Sequence, residues 1–266
     1  MANSKSCRTN FKVSMNTLSV VIPAHNEEAT IGKFVSDLAT ILNRLIECKR
    51  IAQYEIIILD DGSSDNTSSI LQRLESLPRT RLLFNKTASG IQGAFLKLYN
   101  EAKMEWVLLV PGDAQWPAEE IEKLIDFHFK SEILLPTITK RKFKSGYSKL
   151  RIIVSFVFGN FAGFFLRTSE SPDPGSIKIL PRRIADFGYI SKSVTIEIER
   201  MIIAENTFGK LQEFEISVVP RIYGNSSSIT WKTLKPILLD CCKMLYVYKV
   251  LSKIPILTSE ERRNGQ

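Results

Sequence analysis

The chain of 266 residues contains no uncharged stretch long enough to span a bilayer. The longest, IIVSFVFGNFAGFFL, has 15 residues and lies between Arg151 and Arg167, whereas a spanning helix needs about 20. We therefore expect this stretch to be buried or to lie in a membrane interface. Residues 1–17 lack the apolar segment of a secretory signal, which favours a cytoplasmic location, peripheral to the membrane.

Cysteine is scarce, and the glycine-rich phosphate motifs are missing. The four cysteines show no metal-binding spacing, which fits a reducing compartment. Neither GxGxxG nor GxxxxGK[ST] occurs, and this argues against dinucleotide oxidoreductases and P-loop enzymes. No recognised nucleic-acid-binding motif accompanies the basic residues, so we expect no nucleic-acid partner.

Acidic residues are nearly absent from two segments, whose combined positive charge exceeds the net charge of +8 of the whole chain. Residues 133–169 carry seven basic residues and no acidic one, and residues 230–257 carry five lysines against Asp240. Such segments favour an anionic partner, and we expect peripheral membrane contact through both. The alternative is a solvated face, which most charge runs form.

The first half of the chain alternates between apolar β-branched runs and segments of helical periodicity. This alternation predicts an α/β fold with a mostly parallel central sheet and helices on both faces. The predicted strands are 18–23, 55–59, 81–84 and 106–110. The predicted helices are 31–45, a helix through Leu74 with Asp65 as its N-cap, and 91–102.

Three polar loops follow the predicted strands. They are AHNEE after residue 23, DDGSSDNT after residue 59 and PGDAQWP after residue 110. Because ligands bind at the carboxyl ends of parallel strands, we expect the loops to form one site. The adjacent carboxylates of the second loop suit hydrogen bonds to a base and ribose, and Asp113 in the third suits a divalent cation against a diphosphate.

The segments LSVVIPAHNEEATIG, IIILDDGSSDNT and PGDAQWPAEEI resemble the family 2 glycosyltransferases of the GT-A fold, particularly the dolichol-phosphate mannosyltransferase-like branch. The similarity covers about residues 18–227 and extends to DPGSIKILPRR and IEIER. It implies a Rossmann-like nucleotide-binding half, an acceptor-side half, and inverting transfer of a sugar from a nucleoside diphosphate.

The resemblance also assigns expected roles to individual residues. Asp60 and Asp61 would contact base and ribose, Asp113 would bind the metal, and Gln115 would lie beside the donor phosphates or the acceptor. The remaining residues expected to line the nucleotide are Pro23, Ala24, Asn26, Glu27, Asn85, Gly90 and Gly93.

Two positions depart from the family pattern. Its metal motif has two aspartates flanking one residue, but here the first position is Pro111. The implied cation, Mg²⁺ or Mn²⁺, would depend on Asp113, the diphosphate and water, so either metal affinity falls or catalysis is lost. Arg221 is offset from the usual arginine and is a candidate contact of the diphosphate.

The acceptor decides whether a base is needed. The second pKa of a phosphate monoester is about 6, so a polyprenyl phosphate arrives ionised and needs none. A sugar hydroxyl needs one, and the resemblance makes Glu197 and Glu199 the candidates. They lie two residues apart on a predicted helix, so at most one should face the site, and both could be ordinary exposed glutamates.

The predicted organisation is a glycosyltransferase domain at 18–229, a basic amphipathic helix at 230–257, and polar tails at 1–17 and 258–266. That helix would place Ile237, Leu238, Cys241, Met244, Leu245 and Tyr248 opposite its lysines. It would then bind an anionic membrane surface or pack on its own domain.

Two other functions remain open at this point. Pro111 leaves room for a non-catalytic, glycosyltransferase-like module that recruits a partner or a membrane. A nucleotidyltransferase shares the sheet and the acidic loop, but it would normally show a basic glycine-rich entrance loop, which this sequence lacks.

Overall fold

The computed structural model describes residues 16–142, 149–165, 173–220 and 231–251. Within them one seven-stranded sheet has the order β3-β2-β1-β4-β6-β5-β7. The strands are β1 Thr17–Ala24, β2 Gln53–Asp61, β3 Thr80–Asn85, β4 Trp106–Leu109, β5 Thr137–Arg141, β6 Lys178–Pro181 and β7 Gln212–Ile216.

Seven α-helices of the described residues connect or flank these strands. They are α1 Ile31–Glu47, α2 Thr67–Arg73, α3 Gly90–Glu101, α4 Ala118–Lys130, α5 Lys149–Phe165, α6 Ile196–Phe208 and α7 Trp231–Met244. A 3₁₀ turn at Arg182–Asp186 follows β6, and a π-helical segment at Leu245–Val250 continues α7.

The sheet is mostly parallel, as the sequence predicts. β1 pairs in parallel with both β2 and β4, and β3 adds to β2 in the same direction. β6 runs antiparallel to β4 and β5, while β7 is parallel to β5. The carboxyl ends of β1, β2 and β4 therefore lie side by side at one edge.

Two hydrophobic cores cover the two faces of the sheet. Alternate residues of β1 supply both, since Val20 and Ile22 face α1 and α4 while Val21 faces α3 and α6. This explains why the strand sequence is continuously apolar rather than alternating. The predicted apolar positions of α1 are all buried, namely Ile31, Phe34, Val35, Leu38, Leu42 and Leu45.

Helix α2 begins one residue later than the sequence predicts. Its first flanking residue is Asn66, and Asp65 lies one position earlier. The Asp65 carboxylate still accepts a hydrogen bond from the Thr67 amide at 2.9 Å, and another from the Glu28 amide at 3.2 Å. Asp65 therefore serves both the helix start and the neighbouring loop, which displaces it from the cap position.

The predicted apolar stripe of the C-terminal helix is divided in two. Ile237, Met244 and Tyr248 turn towards the domain, but Leu238 and Leu245 are exposed. Buried Asp240 lies on the same inward face, three residues after Ile237 and four before Met244. Its carboxylate accepts a hydrogen bond from the Lys192 amide at 2.8 Å. In the described part of the chain, no helix is both long and apolar enough to cross a membrane.

Candidate active site

The three predicted loops meet at the carboxyl edge of the sheet. The Asn26 side-chain oxygen accepts from the Ser64 amide at 2.8 Å, which joins the first loop to the second. The Thr30 hydroxyl donates to the Gly112 carbonyl at 3.1 Å, which joins the first loop to the third. The flanking strands β2 and β4 are each one strand from β1, so the strand ends from which the second and third loops continue are about 10 Å apart.

The first loop continues directly from β1. Ala24 is paired with Asp60 of β2 and is buried, while Pro23 is half-buried and its carbonyl accepts from the Gly112 amide at 3.1 Å. The Glu27 amide donates to the Thr67 hydroxyl at 2.8 Å. These bonds fix the path of the first loop against its neighbours.

Asp60 and Asp61 point to opposite faces of the sheet, because successive side chains of a strand alternate. Asp60 accepts from the Ser63 amide at 3.0 Å and from the Ser68 hydroxyl of α2. Asp61 instead accepts from the amides of Ser89 and Gly90, at 2.8 and 3.0 Å, at the start of α3. Only Asp61 therefore lies on the α3 side of the sheet.

Hydrogen bonding controls the ionisation of Asp61. Burial on its own raises the pKa of this carboxyl group, but donors from Ser89, Asn85 and Gly90 outweigh burial and leave the pKa below 3.8. Asp61 is thus an anion that also caps α3.

The expected asparagine and glycines gather around Asp61. Asn85 donates to its carboxylate at 2.7 Å and accepts from the Lys97 ammonium at 2.6 Å. Gly90 has a φ of +76°, and a Cβ at this position would meet no atom within 4 Å. Gly93 differs, because a Cβ there would come within 2.8 Å of Ser89. Gly90 thus borders open space, whereas Gly93 is a packing position.

Asp113 lies in a tightly held loop. Its carboxylate accepts from the Gln115 side-chain amide at 2.5 Å and from the Gln115 backbone amide at 3.3 Å. Ala114 between them has a φ of +53°, an unfavourable region for a residue with a side chain. A Cβ at Gly112 would lie 2.8 Å from the end of the Ile31 side chain, so a larger residue there would have to displace Ile31 of α1.

A pocket of about 360 Å³ lies beside this loop, on the α3 and α6 side of the sheet. Pro111 and Trp116, which flank Asp113, both line it. Its wall is largely apolar and is completed by Ile91, Phe95, Tyr99, Leu109, Phe158, Val194 and Ile237, while its polar side is formed by Arg141, residues 173–178 and Glu197.

Glu197 lies in the pocket between two buried cations. Lys178 approaches its carboxylate at 3.1 Å, and Arg200 binds the other oxygen. Burial would raise the pKa of Glu197, but these two cations outweigh burial and lower the pKa. The guanidinium of Arg200 also lies 4.2 Å from the ring centre of Tyr99. Glu197 therefore remains ionised and is a weak base.

Glu199 faces away from this pocket. It is fully buried, and its carboxylate accepts from the amides of Ile190 and Ser191, each at 2.8 Å, and from the Tyr248 hydroxyl at 2.6 Å. Of the two predicted base candidates, the structure brings only Glu197 to the pocket. Arg221 lies outside the described residues.

An ion pair that sequence reasoning did not identify forms another wall of the pocket. Arg141, at the end of β5, binds Asp173 through two parallel contacts of 2.5 and 2.6 Å, and both side chains are buried. Such bidentate geometry is the strong form of this interaction. In the sequence, the segment DPGS at Asp173 was the available signal, because it indicates a turn. The structure shows why glycine occupies this turn, since a Cβ at Gly175 would lie 3.2 Å from Arg141. The sequence does not show that Arg141 and Asp173, 32 positions apart, form a pair.

The model of the family described as glycosyl transferase family 2 matches residues 19–187, which include all three loops and the Arg141–Asp173 pair. The chain belongs to glycosyltransferase family 2.

Curated relatives of this family 2 chain include undecaprenyl-phosphate 4-deoxy-4-formamido-L-arabinose transferases. The enzyme of Proteus mirabilis is 34% identical over 116 residues, which are 42% of this chain and 33% of the relative. The enzyme of Edwardsiella ictaluri is 34% identical over 123 residues, or 44% and 35% of the two chains. The aligned part is thus about a third of each of these relatives. The narrower resemblance to the dolichol-phosphate mannosyltransferase branch stays a prediction.

Solved structures share the fold of this glycosyltransferase. Glucosyl-3-phosphoglycerate synthase of Mycobacterium tuberculosis, in complex with Mn²⁺, UDP-glucose and phosphoglyceric acid, has a TM-score of 0.63 and 17% identity. The match covers 85% of this chain and 80% of that one. The expected GT-A architecture is confirmed.

The described residues of this chain offer few ligands for a divalent cation such as Mn²⁺. In the described ranges no cluster of three or more His, Cys, Asp or Glu side chains could hold a metal ion. Pro111 supplies no side-chain oxygen, and Asp113 already accepts two hydrogen bonds from Gln115. A single carboxylate still suits Mg²⁺ or Mn²⁺ when phosphate oxygens and water complete the shell.

Proposed function

We propose that this chain transfers a glycosyl group, with inversion, from a nucleoside diphosphate sugar to a polyprenyl phosphate. The observation that carries the proposal is the position of Asp61 at the end of β2 and of Asp113 after β4, on either side of β1, with Asp113 between the pocket-lining residues Pro111 and Trp116. The names of the curated relatives, which act on undecaprenyl phosphate, support this acceptor class.

The donor nucleoside would lie over the carboxyl ends of β1 and β2, near the start of α3. Gly90 leaves open space there, and Asp61 is ionised beside it. The half-buried Asn85 and the loop at Asn26 would border the same space. A base and ribose need such hydrogen-bonding groups, whereas the diphosphate needs positive charge.

Asp113 would hold a divalent cation, Mg²⁺ or Mn²⁺, only together with the diphosphate. The cation, when bound, neutralises negative charge on the leaving nucleoside diphosphate. Gln115 would exchange its hydrogen bond to Asp113 for a contact with the phosphates or the acceptor. The Asp113 carboxylate could then face the cation rather than the Gln115 amide.

The chemistry requires no proton transfer when the acceptor is a phosphate. A phosphate oxygen forms a bond to the anomeric carbon, and the bond from that carbon to the diphosphate breaks, with its electron pair leaving on the nucleoside diphosphate. Because the acceptor is largely ionised at neutral pH, no general base is needed. This agrees with the low basicity of Glu197, whose charge is shared with Lys178 and Arg200.

The acceptor is a membrane lipid, so we also propose that the chain acts peripherally at the cytoplasmic face of a membrane. The exposed lysines of α7 support this location, since they suit an anionic surface.

Calorimetric titration with UDP, GDP and dTDP, each with and without Mn²⁺, tests the donor site. We expect binding of one nucleotide that strengthens with the metal, and no heat with any of them would contradict the proposal. Transfer of a labelled sugar to undecaprenyl phosphate, followed by extraction into a lipid phase, tests the acceptor. Label found only in water-soluble glycan would exclude the lipid acceptor.

A second candidate function is a non-catalytic module that recruits a partner or membrane. Pro111 favours it, because it replaces the first of the two aspartates of the family's metal motif. The variant D113N separates the two functions. An enzyme loses turnover with this variant, whereas a binding module keeps its partner.

A further inference from the structure

Ala114 is the strained residue of the third loop, which holds Asp113. Its φ of +53° lies in the left-handed region, and a Cβ disfavours this region by roughly tenfold relative to the right-handed one. Such a conformation persists only where the surrounding contacts hold it. Because Ala114 lies between Asp113 and Gln115, its conformation sets the direction of both side chains.

Hydrogen bonds hold the backbone on both sides of Ala114. Before it, the Gly112 carbonyl accepts from the Thr30 hydroxyl at 3.1 Å. After it, the Gln115 carbonyl accepts from the Val219 amide at 2.9 Å. The first contact comes from the start of α1, whereas the second comes from the segment that follows β7. The strained residue therefore depends on a segment about a hundred positions further along the chain.

Glu120 holds this distant segment. It lies in the first turn of α4, and its carboxylate accepts from the Ser217 amide at 3.0 Å. The side chain of Glu120 is 15% exposed and also binds the Lys123 ammonium at 2.6 Å. Val219 lies two residues after Ser217, so Glu120 fixes the residues that lead to the contact with Gln115. We call the two bonds Glu120–Ser217 and Val219–Gln115 the β7–α4 link.

The carboxylate of Glu120 is ionised at neutral pH. The hydrogen bond from Lys123 lowers its pKa most, and the hydrogen bond from the Ser217 amide lowers it further. Partial burial opposes both effects, but the pKa stays below 4.5. The bond to the Ser217 amide is therefore charge-assisted, which is a stronger form of hydrogen bond than one between neutral groups.

We propose that Glu120 is a positioning residue for glycosyl transfer, which acts through Val219 to keep the Asp113 loop in its strained conformation. The benefit to the donor diphosphate and its cation rests on the proposed function, but the β7–α4 link itself does not. The link holds the backbone carbonyl of Gln115. Its side chain thus remains free to leave Asp113 when the diphosphate binds.

Loss of the β7–α4 link should weaken only the metal-dependent part of nucleotide binding. Without the link, Ala114 can relax out of the left-handed region, and the Asp113 carboxylate then changes direction. Asp61 is held instead by amides at the start of α3, so the contact with the nucleoside should persist. General damage to the fold would lower nucleotide binding equally with and without metal.

Calorimetric titration with UDP, GDP and dTDP, each with and without Mn²⁺, tests this role. We expect E120A to reduce the strengthening by Mn²⁺ by about tenfold and to leave the affinity without metal unchanged. E120Q should keep most of the strengthening, because its amide oxygen still accepts from the Ser217 amide. The matched control is E119A, since Glu119 is an exposed carboxylate in the same turn of α4 and should be dispensable.

A glycine at position 114 tests the strain itself. Glycine adopts the left-handed region without the steric cost of a Cβ. The double variant E120A/A114G should therefore regain most of the metal-dependent binding that E120A loses. If the double variant binds the nucleotide with Mn²⁺ as weakly as E120A does, strain at Ala114 is not the reason for the loss and the proposal is overturned.

Amide hydrogen exchange separates the β7–α4 link from the proposed function. We expect the Ser217 and Val219 amides to exchange about tenfold faster or more in E120A, whether or not nucleotide binds. Unchanged exchange at Val219 would overturn the link. Metal-dependent binding by wild type that E120A leaves intact would overturn the positioning role alone. Absence of this binding in wild type would overturn the proposed function and the positioning role together, while faster exchange in E120A would still establish the link.

Discussion

Lys178 and Glu197 form an ion pair of 3.1 Å inside the pocket, and both side chains are largely withdrawn from water. They come from β6 and α6, so the contact ties α6 to the sheet. Glu197 also neutralises Arg200, and it is therefore the shared anion of two buried cations.

Replacing this shared anion should cost stability. We expect E197Q to lower the free energy of unfolding by about 3 kcal/mol, because two buried cations lose their charged partner. Urea denaturation measures this change. The matched control E213Q removes an exposed carboxylate and should change the free energy by less than about 0.5 kcal/mol. Unchanged stability together with abolished transfer would instead make Glu197 a catalytic base.

Restoring the missing carboxylate should strengthen metal binding. We expect P111D to raise the affinity for Mn²⁺ in the absence of nucleotide by about tenfold, because a second negative charge then lies near Asp113. Titration followed by electron paramagnetic resonance of free Mn²⁺ measures this affinity. The double variant P111D/D113N should return to the wild-type value. An affinity of P111D equal to that of wild type would show that position 111 does not face the cation.

Asp61 should contribute to folding as well as to nucleotide binding. We expect D61N to lower the free energy of unfolding at pH 7 by about 1–2 kcal/mol, since the carboxylate accepts the amides at the start of α3. Its pKa is lowered in the folded protein, so this contribution is present above the ordinary pKa of 3.8 and is lost as the pH falls below it. Urea denaturation above and below pH 3.8 measures this contribution. If D61N lost as much stability in acid as wild type does, Asp61 would not be the cause of the loss.

His128 should make stability fall in mild acid. Burial lowers the pKa of this imidazole from 6.5 to about 3, because the charged form is poorly solvated beside Trp106 and Phe129. As the pH falls, His128 is protonated in the unfolded chain before it is protonated in the folded protein. The stability that neutral His128 contributes is therefore fully present above pH 6.5 and is lost progressively between pH 6.5 and 3.

The expected slope from His128 is at most about 1.4 kcal/mol per pH unit. Denaturant unfolding between pH 7 and 5 measures it, with H128Q as the non-titrating variant. H128Q should flatten the curve. Parallel curves for wild type and H128Q would remove His128 as the cause.

Local sequence patterns predicted the nucleotide-binding half well. Runs such as Val20–Ile22 are apolar at every position, which indicated strands covered on both faces, and both cores confirm this. The polar loops after these strands were expected at one edge, and the bond between Thr30 and Gly112 joins two of them.

The acceptor half was predicted less completely. Arg141 and Asp173 are far apart in the chain, and neither lies in a periodic pattern that indicates pairing. The apolar stripe of α7 was assigned from an ideal helical period, but the domain buries Met244, partly buries Ile237 and leaves Leu238 exposed. Which face of an apolar helix packs depends on its partner, not on its own period.

The sequence by itself determined the alternation of strands and helices, the parallel sheet, and the edge where Asp61 and Asp113 lie. These features follow from local periodicity and from the common direction of parallel strands, which places their carboxyl ends at the same edge of the sheet. Only the tertiary structure decided that Glu197 enters the pocket while Glu199 holds Tyr248, and that Lys178 is buried with its donors occupied. Those outcomes depend on contacts between distant segments, which bury and pair a charge only when the whole domain closes around it.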